Sequence, residues 1–410
     1  MLVQQENHES KTNILCNSVK PKTSPFLSYL CGMRSTFILI PFLFFTACST
    51  RKTDAPTPPV STSSATALQY AEGFKVRYDG RVKHVEVTQP FQGATSGYKY
   101  LLVPRDENVP AHAEDEKVIR IPLQSIVCTA TTHIPLLDYL DESDKLTGFP
   151  TTDYISSEKM RQRIDSGKIQ ELGVDQGMNL ERLAVLKPDM VMGYSMSSDY
   201  GQFKKMEELG VPVVLNAEYL ERHPLGRAEW IKFMALFFNK EELADSVFRS
   251  IEKSYLETKA MADRATSRPS VLSGVVYSEA WFLPGGKNYA STILNDAGCD
   301  YLWKDDPSSG WLQLSFESVY EKAHDADLWI GLGSYTSLRE ISAADRRYAK
   351  FKSFARKKVY NYDARKGAKG GSEYLELGYL RPDIILKDLV KIAHPELEPG
   401  YALFFYRALE

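Results

Sequence analysis

The sequence predicts an α/β fold: two lobes, each with a parallel sheet covered by helices, joined by one long helix and preceded by a small β-rich extension. Three observations predict it. Short apolar strands alternate with amphipathic helices over residues 118–223, the alternation resumes over residues 268–410, and residues 224–267 between them show only helical periodicity. Such alternation is typical of Rossmann-like lobes.

The first 47 residues are predicted to be a leader with a secretory signal. Residues 37–47 form an uncharged apolar run after Arg34, shorter than the roughly 20 residues that cross a bilayer. Met33 offers an internal start, so the true start codon stays open. Residues 45–48 resemble a bacterial lipobox, with Phe45 in place of the usual leucine. Cys48 is therefore the predicted lipidation site.

Residues 48–69 are predicted to be a disordered tether, because Ser, Thr, Pro and Ala dominate the segment. The extension over residues 70–117 follows. Its residues 74–78 and 82–87 alternate apolar and polar side chains around Asp79-Gly80, which predicts a β-hairpin. The role of this extension stays open.

The first lobe, residues 118–223, is predicted from a chain of short elements. Asn179 is expected to cap the helix that follows it, and Pro188 to end that helix. The predicted strands are 119–128, 146–149, 190–192 and 212–215, and the predicted helices begin near residues 132, 179 and 202.

The linker is predicted to contain one helix over residues 226–238 and a long spine helix that ends near Arg264. Asn239 and Glu242 have the spacing of an N-cap and its N3 partner, and apolar residues recur every four positions after them. The second lobe has predicted strands at 271–277, 328–330 and 359–361, and predicted helices at 290–297, 316–323 and 382–392.

The composition argues against several functions. A net charge of −3 without a basic run excludes an ordinary nucleic-acid binder. The chain has no nucleophile elbow and no phosphate loop, and the Gly331-Leu332-Gly333 segment lacks the third glycine of a dinucleotide fingerprint, so we do not expect an enzyme. Cys128 and Cys299 fall in different lobes, and the histidines lack ligand spacing. We therefore expect no disulfide, metal ion or cofactor.

The run over residues 177–191, GMNLERLAVLKPDMV, resembles the signature of class III periplasmic solute-binding proteins of ABC importers, the family for ferric siderophores, haem and vitamin B12. The resemblance extends over residues 118–392 in the order of elements. It implies two lobes on a helical spine that closes only modestly. It also implies a permease with its ATPase as partner and a metal chelate as ligand. With the lipobox at Cys48, we expect a monomer anchored to the cell envelope and facing the periplasm.

In this family one glutamate on each lobe docks onto arginines of the permease. The resemblance places the first at Glu181, in the Asn-Leu-Glu run, and the second at Glu317, in the WLQLSFE run. Carboxylates suit this role because they steer a basic partner and pair with it bidentately.

A ligand is expected between the lobes, at the carboxyl ends of parallel strands, where aromatic side chains suit a flat chelate. Lys287 lies in a segment similar to the family's glycine-containing loop, and Arg365 lies in a basic, glycine-rich loop that would suit an anionic ligand. His133 is also a candidate axial ligand for haem iron or cobalt. The other predicted ligand-binding residues are Thr132, Asp153, Tyr154 and Tyr194 in the first lobe, and Tyr277, Trp281 and Trp311 in the second.

The sequence leaves some alternatives open. The chelate is a ferric siderophore, haem or cobalamin, or the ligand is not a chelate. A capture or sensor lipoprotein of the same fold without a permease is a second interpretation, and an enzyme is a less favoured third. The membrane that carries the anchor, including the outer membrane, is not determined.

Overall fold

A computed structural model describes residues 67–174 and 177–410. The predicted leader, the lipidation site Cys48 and nearly all of the predicted tether lie outside these residues. The last positions of that tether are in the folded part, since the backbone N–H of Gln69 donates to the Glu229 carboxylate. Within the described ranges, no helix combines the length and apolar character needed to span a membrane.

The strands are β1 Phe74–Asp79, β2 Val82–Val87, β3 Tyr98–Pro104, β4 Glu116–Ile121, β5 Ile126–Cys128, β6 Leu146–Phe149, β7 Gln170–Glu171, β8 Gly173–Val174, β9 Gly177–Met178, β10 Met190–Gly193, β11 Val213–Leu215, β12 Ser270–Ser273, β13 Val275–Tyr277, β14 Ala280–Pro284, β15 Asp300–Tyr301, β16 Trp311–Leu314, β17 Leu328–Ile330, β18 Val359–Asn361 and β19 Arg407–Ala408. The α-helices are α1 His133–Tyr139, α2 Glu158–Asp165, α3 Leu180–Leu186, α4 Gly201–Glu208, α5 Pro224–Glu229, α6 Ile231–Leu236, α7 Glu241–Ala262, α8 Tyr289–Asp296, α9 Phe316–Ala323, α10 Leu338–Ala344, α11 Lys352–Ala355, α12 Glu373–Leu377 and α13 Pro382–Ala393.

The extension is a four-stranded sheet in the order β1-β2-β3-β4. The predicted hairpin is confirmed: β1 and β2 are antiparallel, and Gly80 at the turn has a φ of 60°. β4 runs parallel to β3 and crosses the predicted boundary at 117/118. The stretch 119–128, predicted as one strand, is therefore two strands, β4 and β5, in different sheets.

Buried polar contacts attach the extension to the first lobe and to the start of α7. The backbone N–H of Leu215 donates to the Tyr100 hydroxyl at 3.0 Å. Lys83 is buried, donates to the Leu236 carbonyl at 2.8 Å and to Asn239 Oδ1 at 2.9 Å, and forms an ion pair with Glu241. The prediction that Asn239 caps α7 is wrong, because its carboxamide accepts from Lys83 and α7 begins after Lys240 without a side-chain cap.

Each lobe contains a mainly parallel sheet, as predicted. The first has the order β11-β10-β5-β6-β7, with every neighbouring pair parallel. The second has the order β15-β12-β17-β18-β19, and only β19 is antiparallel to its neighbour. The predicted strand 271–277 divides at Gly274, which has a φ of 77° and where a Cβ would collide with the Phe282 carbonyl oxygen. Beyond Gly274 the chain forms a small antiparallel sheet, β13-β14-β16.

The helix α7 is the spine between the lobes. It has 22 residues, which at 1.5 Å per residue gives a length of about 33 Å. Its buried stripe includes Phe248, Ile251 and Tyr255, and the Tyr255 hydroxyl donates to Asp296 at 2.7 Å. The helix predicted over residues 226–238 is two short helices, α5 and α6, joined at Trp230. The order lobe, helix, lobe is confirmed.

Candidate functional site

The two lobes meet along a seam formed by α12 and the segment before α2. The Glu376 carboxylate accepts from the backbone N–H groups of Ser156 at 2.6 Å and Ser157 at 2.9 Å. Gly371 approaches so closely that a Cβ there would collide with the Tyr154 carbonyl oxygen. The seam therefore brings Tyr154 of the first lobe beside the glycine-rich loop that contains Arg365.

Thr132 lies beside the carboxyl ends of the first-lobe strands, as its position predicts. Its hydroxyl donates to Glu218 Oε1 at 2.6 Å, so the segments after β5 and β11 converge. Glu218 is buried, which raises the pKa of its carboxyl, and its other oxygen has no hydrogen-bond partner in the described part of the chain. Glu218 is not among the residues predicted from the sequence, although its place three residues after β11 follows the same strand-end rule.

A second group of residues that the sequence did not predict lies on the linker and the second lobe. The guanidinium of Arg227, on α5, lies 3.8 Å from the Tyr289 ring centre and 4.5 Å from that of Tyr379. Tyr362, directly after β18, stacks on Tyr374 with 4.4 Å between ring centres. The sequence feature that could have indicated this group is the density of tyrosines after β18. Their spacing alone did not connect them to Arg227.

Aromatic residues cover the outer face of the β13-β14-β16 sheet. Tyr277 and Trp311 are exposed, and the Tyr277 ring contacts that of Phe282, with 5.9 Å between centres. Trp281 points to the opposite face, is completely buried and stacks on Trp329 at 5.5 Å. The prediction that Trp281 contacts ligand is therefore corrected: side chains alternate along β14, and that of Trp281 fills the core.

His133 is also a core residue. It is completely buried, neither ring nitrogen has a hydrogen-bond partner among the described residues, and burial lowers its pKa to about 3. The ring is therefore neutral and enclosed. This corrects the prediction of ligand or metal contact. Within residues 67–174 and 177–410, no group of three or more His, Cys, Asp or Glu is arranged to hold a metal ion.

The remaining predicted ligand residues lie on or near the surface. Asp153 is exposed and forms an ion pair with Arg161 at 3.4 Å, and Tyr194 is partly buried directly after β10. Lys287 is exposed in the loop before α8. Arg365 pairs with Glu373 at 2.7 Å, so its charge already has an intramolecular partner.

The two predicted docking glutamates each occupy the first turn of a helix. Glu181 is exposed on α3, and among the described residues it forms no ion pair. Glu317 is exposed on α9 and pairs with Arg347 at 3.0 Å. Beside Glu317 lies a surface groove of about 470 Å³, lined in part by Phe316 and Tyr320.

Residues 126–366, more than half of the chain, match the sequence model of a family described as periplasmic binding protein. The chain belongs to this family. Periplasmic binding proteins bind small-molecule solutes for ABC permeases and are not enzymes.

Two relatives that this chain covers along most of their length are named lipoproteins. An uncharacterized lipoprotein of Methanocaldococcus jannaschii is 27% identical over 372 residues, covering 85% of this chain and 87% of its own. The vitamin B12-binding protein of Salmonella typhi is 25% identical over 169 residues, covering 41% of this chain and 60% of its own.

Solved structures of this family share the fold. A possible iron-binding (periplasmic solute-binding) protein from Staphylococcus epidermidis superimposes with a TM-score of 0.52 and 16% identity, covering 67% of this chain and 99% of its own. A periplasmic haem-binding protein from Roseiflexus gives a TM-score of 0.51 and 14% identity, with the same coverage.

Proposed function

We propose that the chain is the lipid-anchored solute-binding component of an ABC importer, which captures a metal chelate and delivers it to a permease with its ATPase. The chelate would be a ferric siderophore, haem or cobalamin. The observation that carries this proposal is the pair Glu181 and Glu317, one exposed carboxylate in the first turn of a helix on each lobe. Membership of the binding-protein family supports it.

The two glutamates differ in their readiness to dock. Glu181 has no competing cation among the described residues, whereas Glu317 must exchange Arg347 for a permease arginine. Exposed ion pairs contribute only about 0–1 kcal/mol, so this exchange requires little free energy. We therefore expect first contact through Glu181, followed by Glu317.

The ligand proposal draws support from the exposed aromatic face of the second lobe. Tyr277 and Trp311 are 46% and 54% exposed, although large aromatic side chains are usually covered. Such side chains bury much area against a flat ligand and lose little conformational entropy. The proteins that share this fold include ones named for iron and haem, and a relative is named for vitamin B12.

Ligand binding is tested by titrating the full chain, purified in detergent, with cyanocobalamin, haemin and a ferric tris-catecholate. Visible absorbance and tryptophan fluorescence report binding. We expect micromolar or tighter binding of one chelate, weakened in Trp311→Ala. Leu256→Ala, an exposed apolar position on the spine helix, is the matched control. Binding of none of the three would refute the chelate proposal.

Docking is tested by assembling the full chain with its permease in lipid nanodiscs. We expect Glu181→Arg combined with Glu317→Arg to abolish complex formation, while Glu208→Arg, an exposed position on α4, leaves it unchanged. A complex that survives the double reversal would refute the docking role of the two glutamates, and failure of the wild-type chain to form a complex would favour the capture lipoprotein instead. The anchor is tested separately, since Cys48→Ser should release the chain from the membrane fraction.

A further inference from the structure

A strongly basic segment connects α10 to β18 in the second lobe. Residues 346–358, RRYAKFKSFARKK, contain seven Lys or Arg residues and no Asp or Glu, although the whole chain has a net charge of −3. The expectation that the chain has no basic run is therefore wrong for this segment. It comprises a 3₁₀ turn, Arg346–Lys350, followed by α11 and the turn before β18. Seven positive charges thus lie on one short stretch of the second lobe.

Buried aromatic side chains hold this segment against the core of the second lobe. Tyr348 and Phe351 are buried, and the Phe351 ring lies 5.4 Å from that of Trp329, measured between centres. The Tyr348 hydroxyl accepts from the backbone N–H of Val276 at 3.1 Å. Because the aromatic side chains point inward, most of the cations between them are exposed, namely Arg346, Arg347, Lys350, Arg356, Lys357 and Lys358. The fold therefore presents these cations to the solvent from a fixed backbone.

Five of the seven cations have no intramolecular partner. Arg347 pairs with Asp345 at 2.7 Å and with Glu317 at 3.0 Å. Lys352 pairs with Asp327 at 2.9 Å. The other five make no ion pair and no side-chain hydrogen bond with any described residue, and together they form what we call the basic surface: Arg346, Lys350, Arg356, Lys357 and Lys358. Neighbouring like charges repel one another, so an anionic partner would offset a repulsion that the fold leaves uncompensated.

The place of the basic surface in the fold relates it to a membrane. The surface is continuous with the groove beside Glu317, because Arg347 and Lys350 line that groove. A permease lies in a membrane, so a surface next to a glutamate that docks onto it comes near phospholipid headgroups. The predicted lipidation site Cys48 precedes Ala67, the first described residue, by about 20 residues, which span at most roughly 70 Å. An anchored chain therefore stays within reach of the bilayer.

We propose that the basic surface docks onto anionic phospholipid headgroups of the membrane that holds the permease. This inference goes beyond the proposed function and rests on its lipid anchor and its permease. Clusters of Lys and Arg bind anionic membranes, and a lipid anchor combined with a basic patch holds a protein more firmly than an anchor alone. The contact keeps the second lobe beside the bilayer, with Glu317 close to the permease.

Nucleic acid is the other phosphate-bearing polymer that such a charge attracts, but the segment lacks the aromatic side chains of a single-strand site. Proteins hold single-stranded nucleic acid by stacking its bases on accessible aromatic rings. Tyr348 and Phe351 are buried and Phe354 is half-buried, so no aromatic side chain of the segment is exposed. The arrangement therefore favours a partner recognised by charge alone, as a layer of headgroups is.

Lysine labelling of the full chain tests the contact directly. The chain is reconstituted through its own anchor in nanodiscs of phosphatidylcholine, either alone or mixed with anionic phosphatidylglycerol. Acylation of each lysine by an N-hydroxysuccinimide ester is then followed by mass spectrometry. We expect Lys350, Lys357 and Lys358 to react at least several-fold more slowly in the anionic nanodiscs. High salt should remove this protection, because it screens exposed charges. The control lysines Lys75 and Lys168 are exposed and unpaired among the described residues, and should react equally in both.

Charge variants show whether the basic surface itself causes the protection. Each cation near an anionic membrane contributes about five-fold in affinity. Arg346→Gln combined with Arg356→Gln should therefore weaken the contact about 25-fold and restore fast labelling of Lys357. Lys168→Gln combined with Arg222→Gln removes the same charge from exposed positions of the first lobe and should leave the protection intact. Lys350→Gln, also read at Lys357, is a second test should the double variant not fold.

The outcomes separate this inference from the proposed function. Equal labelling of the three lysines in anionic and neutral nanodiscs would overturn the docking surface and leave the importer proposal standing. Equal slowing at Lys75 and Lys168 would also overturn it. Single-stranded RNA or inorganic phosphate, added to neutral nanodiscs at matched ionic strength, should give less protection than anionic lipid, and equal or greater protection would overturn the choice of headgroups. Labelling requires neither chelate nor permease, so failure to bind any chelate would contradict the proposed function alone.

Discussion

The Glu376 carboxyl at the seam between the lobes should make stability depend on pH. It is 4% exposed and accepts two backbone N–H groups from the other lobe. Burial raises its pKa from 4.5 to about 8, against the opposing effect of those hydrogen bonds. We therefore predict that Glu376→Gln, which cannot ionise, changes the pH profile of unfolding.

The sign and size of this pH dependence follow from the shift in the pKa of Glu376. Because the folded state favours the protonated carboxyl, the stabilisation is fully present below pH 4.5 and is lost as the pH rises through about 8. At 1.36 kcal/mol per unit, the wild-type free energy of unfolding should fall by up to about 5 kcal/mol across that window. In Glu376→Gln this contribution disappears. In this variant the side-chain –NH₂ group faces one of the two backbone N–H groups, which then has no acceptor. This lowers the free energy of unfolding by about 1–3 kcal/mol at every pH.

The two profiles should therefore cross: the variant is less stable than wild type near pH 5 and more stable near pH 9. Urea unfolding of the full chain, followed by tryptophan fluorescence between these values, measures this. Glu373→Gln, on the same short helix but in a surface pair with Arg365, should stay within about 1 kcal/mol of wild type. Parallel profiles for wild type and Glu376→Gln would refute the reasoning.

Three other changes test the packing. Glu229→Ala leaves Lys232 and the backbone N–H groups of residues 69–71 without their buried carboxylate, and should lower the free energy of unfolding by about 3–5 kcal/mol and speed amide exchange over residues 69–71. His133 should remain neutral in NMR titrations of the folded chain down to about pH 4, because its folded pKa lies near 3. The same histidine binds a proton in the unfolded chain below about pH 6.5, so the free energy of unfolding should decrease progressively as the pH falls below 6.5. Trp281→Ala should lower the free energy of unfolding by about 3–5 kcal/mol in chemical denaturation, with little change in chelate affinity. A loss of chelate affinity without this loss of stability would instead support ligand contact by Trp281.

Most of the fold was predictable from local patterns. The hairpin at Gly80, the cap at Asn179 and the long helix before Arg264 follow from turn chemistry, capping and periodicity over a few neighbouring residues. The signature over residues 177–191, which contains Glu181, likewise indicated the family without knowledge of packing. These features depend on residues that are close in sequence, and so they can be deduced from the sequence itself.

The candidate site depended on contacts between residues far apart in the chain. Arg227 contacts Tyr289 only because α5 and α8 pack against each other. Asn239 does not cap the helix as predicted, because its carboxamide oxygen accepts a hydrogen bond from Lys83. The strand-end rule correctly placed Thr132 near Glu218, but it could not tell that the next residue, His133, faces the core. The sequence by itself determined the periodicities, the caps and the family. Only tertiary packing decided which side chains are buried, which are paired and which retain free donors, because those properties depend on neighbours that no local pattern specifies.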